Sequence, residues 1–304
     1  MTRRPLPARR VLLFFIDGVG VGSEDAAVNP LASGAYPALH LTRAARPRSR
    51  NAGPPALAGG LDASLGVPGL PQSATGQTTI LTGVNAPAAL GRHLSGFPGP
   101  TLKKILAEHS ILKRLVEQGF DATFLNAFGP RFFETEQPLR RLSATTLASL
   151  AAGRPLRDWS DLTAGRAVVH DLTHWRMRDY GFDLPLRTPE EAGSIIAREA
   201  MRADFSLFEY FETDRAGHAQ DREAAEHCLS DLNGALEAVL ANVNLAELIV
   251  LVVSDHGNVE DLSVKTHTLN PAFFAAWGPL DGLTPPQTLA DVAPLAWSAL
   301  TSGA

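Results

Sequence analysis

Val11-Leu12-Leu13-Phe14-Phe15-Ile16-Asp17-Gly18 is an unbroken apolar run that ends on a carboxylate. Six consecutive apolar residues, rich in β-formers and closed by Asp-Gly, predict a strand buried on both faces of a parallel sheet. The same construction recurs twice. Residues 248–253 (LIVLVV) run into Ser254-Asp255-His256-Gly257-Asn258, and residues 205–211 (FSLFEYF), which alternate in part, run into Glu212-Thr213-Asp214-Arg215-Ala216-Gly217-His218. A weaker strand is expected at 122–125 (ATFL), after a helical stretch ILKRLVEQG whose Gly119 suits a C-cap. Helical patterns over about 190–202 and 220–242, the first opened by Pro189 and Glu190-Glu191, complete an alternation of strands and helices. That alternation predicts a three-layer α/β/α sandwich around a mostly parallel central sheet.

Composition narrows the classes. The chain has 304 residues, 45% hydrophobic and 19% charged, so it can bury a sizeable core and is not a disordered segment. Cys228 is the one cysteine, which excludes an intrachain disulfide and a thiolate metal cluster. A net charge of −5 argues against a nucleic-acid partner. No run approaches the roughly 18 apolar residues of a membrane span. The basic start MTRRPLPARR before VLLFFI imitates a signal peptide, but the apolar run is short and no small-residue cleavage site follows closely. Residues 1–10 are therefore read as a basic leader, and a cytoplasmic location is expected. Oligomeric state leaves no trace in the sequence.

Two stretches break the rhythm. Pro and Gly concentrate in 46–72, which reads as a long loop. Residues 129–185 carry Phe132, Phe133, Trp159, Trp175, Tyr180 and scattered Arg without a clean strand–helix pattern. They are expected to form a small cap inserted between the core segments 1–128 and 186–304.

The ends of the three main strands carry the chemistry. In an open parallel sheet, ligand sites lie just beyond the carboxyl ends of the strands. Asp17, Asp214 with His218, and Asp255-His256 should therefore meet on one rim. Each alone has a plain structural explanation, a turn or a local hydrogen-bonded pair. Together, carboxylates and imidazoles without thiolate suit Zn²⁺, Mn²⁺ or a similar divalent ion. Three carboxylates and two histidines already exceed what one four-coordinate ion uses, and with His267, in KTHTLNP, the count fits two metals. Upstream, Ser73-Ala74-Thr75-Gly76-Gln77-Thr78-Thr79 leaves the Gly/Pro-rich loop and enters an apolar stretch. Small hydroxyls there either cap a helix or sit where a phosphate binds at a helix N-terminus.

In these blocks the chain resembles the alkaline phosphatase superfamily of metalloenzymes, closest to cofactor-independent phosphoglycerate mutase and phosphopentomutase. The blocks are IDGVGVG (16–22), QSATGQ (72–77), TDRAGH (213–218), SDHGNVE (254–260) and THTLNP (266–271), in the family's order. The resemblance implies an alkaline-phosphatase-like fold, two divalent ions (Mn²⁺ or Zn²⁺) and a small phosphorylated substrate. It implies that Ser73 is the nucleophile, with Thr75 the alternative hydroxyl. Asp17, Ser73, Asp255 and His256 match one metal site; Asp214, His218 and His267 match the other. Asn258 and Glu260 match residues that support the ligands, and Arg92 and His93 are candidates to contact substrate. The chain departs from the mutases in carrying Gly76-Gln77 where they have Gly-His, and in its short 129–185 segment. Those departures favour hydrolysis of a phosphate ester through phospho-Ser73 over mutase transfer within a sugar phosphate, with a metal-binding protein lacking turnover as the remaining reading.

Overall fold

The computed structural model describes residues 9–134 and 141–301. Of the basic leader expected at 1–10, residues 1–8 lie outside the described residues, and Arg10 opens the first strand. In chain order the strands are β1 (Arg10–Ile16), β2 (Leu57–Leu61), β3 (Ala122–Phe124), β4 (Ala127–Phe128), β5 (Arg157–Asp158), β6 (Phe205–Tyr210), β7 (Leu248–Ser254) and β8 (Ala272–Trp277). The helices are α1 (Ser73–Thr82), α2 (Ala86–Leu90), α3 (Pro100–His109), α4 (Ile111–Glu117), α5 (Pro130–Glu134), α6 (Ala144–Ala151), α7 (Trp159–Thr163), α8 (Trp175–Asp179), α9 (Pro189–Ala200), α10 (Glu212–Ala219), α11 (Arg222–Asn242) and α12 (Val292–Thr301).

Six strands form one sheet in the order β2-β8-β7-β1-β6-β3. β7, β1, β6 and β3 run parallel, while β8 is antiparallel to β7 and β2 antiparallel to β8. Because β1 is buried from Val11 to Ile16, alternate residues serve opposite layers. Leu13 and Phe15 join Leu207, Leu251 and Val253 in a core shared with Ile80 of α1, Leu106 of α3, Leu115 of α4 and Ala296 of α12. Leu12, Phe14 and Ile16 join Phe208, Val250 and Val252 beneath Ile196 of α9 and Leu229, Leu232 and Leu236 of α11. This is the three-layer arrangement. The helices that close the second layer start cleanly: α9 has Pro189 in its first turn and a reciprocal Thr188–Glu191 capping box, and Asp221 caps α11.

The register matters more than the layers. Ile16 lies opposite Tyr210 of β6 and Ser254 of β7. The three strands therefore stop level, and Asp17, Phe211 and Asp255 are the next residue on each.

The structure corrects two local readings. The 46–72 stretch is not all loop, because Leu57–Leu61 (LAGGL) pairs with β8 as an edge strand. Its two glycines hide the strand from a reading based on β-propensity; the backbone ladder decides it. FSLFEYF does not alternate: every residue of Phe205–Tyr210 is buried. TDRAGH lies within helix α10. Within 129–185, Ala144 and Ala148 of α6 pack into the main core, while Leu162, Val169 and Met177 form a small separate cluster with Trp159, Phe182 and Leu184. Among the described residues, no helix is long and apolar enough to cross a membrane.

Phe14 and Phe208 meet edge to face on adjacent strands, their ring centroids 4.9 Å apart, and both are fully buried. Phe208→Ala is expected to cost about 3–5 kcal/mol in a urea unfolding curve, the transfer loss plus the cavity. A loss below about 1 kcal/mol would show that the layer repacks without its ring.

Candidate metal centre

Three elements deliver carboxylates to one place. Asp17 follows β1 and Asp255 follows β7, side by side because the strands end in register. Asp214 stands in the first turn of α10, with His218 one helical turn later on the same face. His267 arrives on the loop after β7, where its Nδ1 donates to the Pro71 carbonyl at 2.8 Å. Ser73 is the first residue of α1, whose N-cap Gln72 makes no side-chain cap bond.

The donors fall into two groups, each with ligand atoms within 4.8 Å of one another: Asp214, His218 and His267, and Asp17, Asp214 and His256. Asp214 Oδ2 is 3.4 Å from His218 Nε2, and its Oδ1 is 3.4 Å from His267 Nε2. His256 Nε2 lies 3.0 Å from Ser73 Oγ, 3.3 Å from Asp17 Oδ1 and 3.5 Å from Asp255 Oδ2. The His256 and His267 rings stack with centroids 3.7 Å apart and join the two groups.

The residues fit divalent ions on three counts. First, Asp17 Oδ1 and Asp255 Oδ2 are buried, and His256 Nε2 meets both only at long range, 3.3 and 3.5 Å, a costly condition for two carboxylate oxygens unless a further cation joins them. Second, the imidazoles are oriented from outside: His218 Nδ1 donates to the Lys265 carbonyl at 2.9 Å, as His267 does to Pro71. That tautomer leaves Nε2 with its lone pair facing the centre, the usual arrangement for a metal-bound histidine. Third, those two Nε2 atoms face each other at 3.1 Å. Two lone pairs at that distance repel, whereas two nitrogens sharing a tetrahedral ion with bonds of about 2.0–2.1 Å stand about 3.4 Å apart.

The surrounding residues hold the carboxylates in place. Gln77 Nε2 donates to Asp17 Oδ2 at 3.0 Å, and Asn258 Nδ2 donates to Asp214 Oδ1 at 2.6 Å. Glu260 collects the backbone N–H groups of Gly20 and Asn258 on one oxygen, at 2.9 and 2.7 Å. Its other oxygen accepts from Thr268 Oγ1 and Asn270 Nδ2 at 2.5 and 3.1 Å. It thus ties the loop after β1 to both ends of the β7–β8 loop, which carries His256 and His267. Thr75, the alternative hydroxyl, donates to the Gln72 carbonyl and accepts from the Leu94 amide, so its hydroxyl is occupied by the backbone.

Charge is crowded here. Burial, with the negative charges of Asp255 and Asp214 adding to it, pushes Asp17 up to about 7. Burial also pushes Asp255 up to about 6, despite the opposing pull of His256. For Asp214, burial is outweighed by His267, His256 and Asn258, which hold it at about 2. His256 is fully buried, which disfavours its charged form, yet Asp255, Asp17 and Asp214 together push it up to about 10.

A cavity of about 550 Å³ opens onto Asp17, Ser73 and Asp214. Several of its walls were not singled out in the sequence: Phe97, Asn126, Phe128, His170 and Glu209. Glu209 is fully buried, and that burial pushes it up to about 7 against the hydrogen bond from Thr145. No local motif marks these residues, because they come from four separate segments. Arg92 and His93, by contrast, are not part of the wall; Arg92 is exposed, and His93 Nε2 bonds the Val67 carbonyl at 3.1 Å. Gly91, in the αL conformation, ends α2 immediately before them.

Residues 180–301 match the Metalloenzyme superfamily model, a stretch holding Asp214, His218, Asp255, His256 and His267. A 2,3-bisphosphoglycerate-independent phosphoglycerate mutase from Dinoroseobacter shibae is 29% identical over 127 residues, 39% of this chain and 25% of that protein. The match thus spans about a quarter of that relative's length. The PH0037 protein from Pyrococcus horikoshii superposes with a TM-score of 0.57 at 14% identity, over 98% of each chain. The alkaline phosphatase from the Antarctic bacterium TAB5 superposes with a TM-score of 0.53 at 14% identity, over 97% of this chain and 98% of that one. At such identity the likeness is one of fold. The fold is alkaline-phosphatase-like, and the resemblance to that superfamily extends to the metalloenzyme sequence pattern.

The buried acids make a pH prediction. Asp17, Asp255 and Glu209 bind their protons more tightly folded than unfolded, since their values of about 7, 6 and 7 stand above the unfolded 3.8, 3.8 and 4.5. The folded state therefore loses stability as pH rises from about 4 through 7. Asp214 acts in the opposite sense, but below pH 4. Chelator-treated protein should melt at progressively lower temperature between pH 5 and pH 8, and saturating Mn²⁺ should reverse that slope. A metal-insensitive, flat melting profile would count against a cation site.

Proposed function

We propose that the chain is a metal-dependent phosphoryl-transfer enzyme that hydrolyses a phosphate ester through a phosphoserine at Ser73. The observation that carries this reading is the placement of Ser73 Oγ at an uncapped helix N-terminus, 3.0 Å from His256 Nε2 and on the wall of a cavity. Asp17, Ser73, Asp255 and His256 would hold one divalent ion, Mn²⁺ or Zn²⁺, and Asp214, His218 and His267 the other. When bound, such ions lower the pKa of a coordinated hydroxyl and neutralise charge on phosphoryl oxygens.

The chain's own contribution is position. The first N–H groups of α1 point at the place where a phosphoryl group would lie in reach of Ser73. The Ser73 Oγ–phosphorus bond forms as the bond to the leaving oxygen breaks. In the second half, a water oxygen forms the new bond to phosphorus, Ser73 Oγ leaves, and inorganic phosphate is released. Gln77 and Asn258 keep Asp17 and Asp214 from rotating as charge shifts. The segment 129–185 serves as a small cap, supplying Phe132, His170, Met177 and Tyr180 to the cavity wall.

Gly76-Gln77 and the short cap support hydrolysis. The mutase relative favours a second reading, in which a hydroxyl of the same sugar phosphate replaces water. The two share every step up to phospho-Ser73. A protein that binds metal without turnover is the third reading.

Phosphate release from a panel of phosphomonoesters and diesters, with Mn²⁺, with Zn²⁺ and after chelation, tests the proposal. Metal-dependent release is expected, falling about a thousandfold or more in Ser73→Ala. Equal rates in the wild type and the variant would overturn it.

A further inference from the structure

The cavity that shares Asp17, Ser73 and Asp214 with the metal centre is not built for a small polyanion. Its apolar lining comes from several elements: Phe97 from the loop before α3, Phe128 from β4, Phe132 from α5, and Phe211 after β6. Phe128 and Phe132 lie with ring centroids 4.4 Å apart, and Phe124 continues the row at 6.1 Å from Phe128. The imidazole of His170 stacks on Phe211 at 4.1 Å and 20°. Phe97 and Tyr180 are half exposed, at 50% and 48%, although each is large and aromatic. Exposed rings gathered around one opening mark a binding surface rather than a core.

The charges on the wall point the same way. Asp17, Asp214 and Glu209 are carboxyls. The two aspartates belong to the metal centre, but Glu209 does not. It is held by Thr145 Oγ1 at 2.7 Å, with its backbone amide bonded to Asn126 Oδ1 at 2.9 Å. Among the described lining residues, Arg141 is the one arginine and there is no lysine. Among the described residues, Arg141 is thus the one guanidinium that the wall offers to a second anionic group beyond the phosphate.

Resting on the phosphoryl-transfer reading above, we infer that the leaving group of the substrate is a planar, uncharged ring system that stacks on Phe97, Phe128 and Phe132. The substrate class is thus an aryl or nucleoside phosphate ester, not a phosphoglycerate or a small sugar phosphate. A volume of about 550 Å³ accommodates such a group, within the usual range for small-molecule sites. Aromatic faces favour a flat partner through offset stacking, which a polyhydroxylated chain does not provide.

The test uses the full chain loaded with Mn²⁺ and compares kcat/KM for 1-naphthyl phosphate, adenosine 5′-monophosphate, glycerol 1-phosphate, ribose 5-phosphate and 3-phosphoglycerate. At least one ring ester should exceed all three polar esters by about a hundredfold. Naphthyl alone would identify an aryl leaving group, and the nucleotide alone a nucleoside. Phe132→Ala and Phe97→Ala remove exposed or half-buried rings, so both should fold, and each should cut the ring-to-glycerol ratio about tenfold. Equal turnover of polar and ring esters, with ratios unmoved in both variants, would overturn the inference. Absence of turnover on every ester would defeat the phosphoryl-transfer reading instead. Calorimetric binding of 1-naphthylmethylphosphonate against methylphosphonate would then still decide the pocket: tighter naphthyl binding, weakened by Phe132→Ala, supports it, and equal affinities reject it.

Discussion

Three carboxylates brought together out of water are the condition around which the rest of this molecule is arranged. Like charges at such distances cannot all stay ionised without cations or protons between them. Asp17 and Asp255 sit where they do because β1 and β7 end in register, and Asp214 because α10 begins two residues after β6. The sheet is thus a device for setting charge at a spacing that water would never hold. The three histidines share the burden: their Nε2 atoms face the carboxylates, and two of their Nδ1 atoms are fixed to carbonyls of loops that come from elsewhere in the chain.

Close approach at the rim depends on missing side chains. Gly18 has a φ of 71°, and a Cβ there would lie 2.8 Å from Asp214 Cβ. At Gly76, a Cβ would lie 2.9 Å from Asp255 Cβ and 3.0 Å from its carbonyl oxygen. Both glycines therefore let one ligand-bearing element lie against another, the first for geometry as well as space. Gly76 is the reason the start of α1 can reach the end of β7, and so the reason Ser73 Oγ comes within 3.0 Å of His256. Glu260 works by the opposite means. Its carboxylate fills the gap between the loop after β1 and both ends of the β7–β8 loop and satisfies donors from each, so segments of no regular structure are held together.

The cavity and the centre have different origins. The centre comes from strand ends and helix starts, positions that the parallel sheet determines. The aromatic wall comes from the loop before α3 and from the segment after β3, outside the strand–helix alternation. In folds of this kind the sheet places common chemistry while added segments choose what it acts on. The apolar wall, with Glu209 set into it, is built from residues outside the two groups of metal-ligating donors.

The sequence by itself determined the strands that are apolar throughout, the helices with good caps, and the types of donor that wait at the strand ends. It did so because continuous apolar runs have few other solutions, and because polar residues directly after them need partners. Tertiary structure alone decided the remainder. LAGGL became a strand through pairing with β8, against its own weak propensity, and TDRAGH became a helix, putting Asp214 and His218 one turn apart on a single face. Thr75 was taken up by the backbone while Ser73 was left open, and Arg92 and His93 were kept off the cavity wall. Gln77, Glu209 and the row of phenylalanines acquired their meaning only by facing Asp17 and Ser73 across space. Contacts between residues so distant in the chain follow from register and packing, which no local pattern encodes.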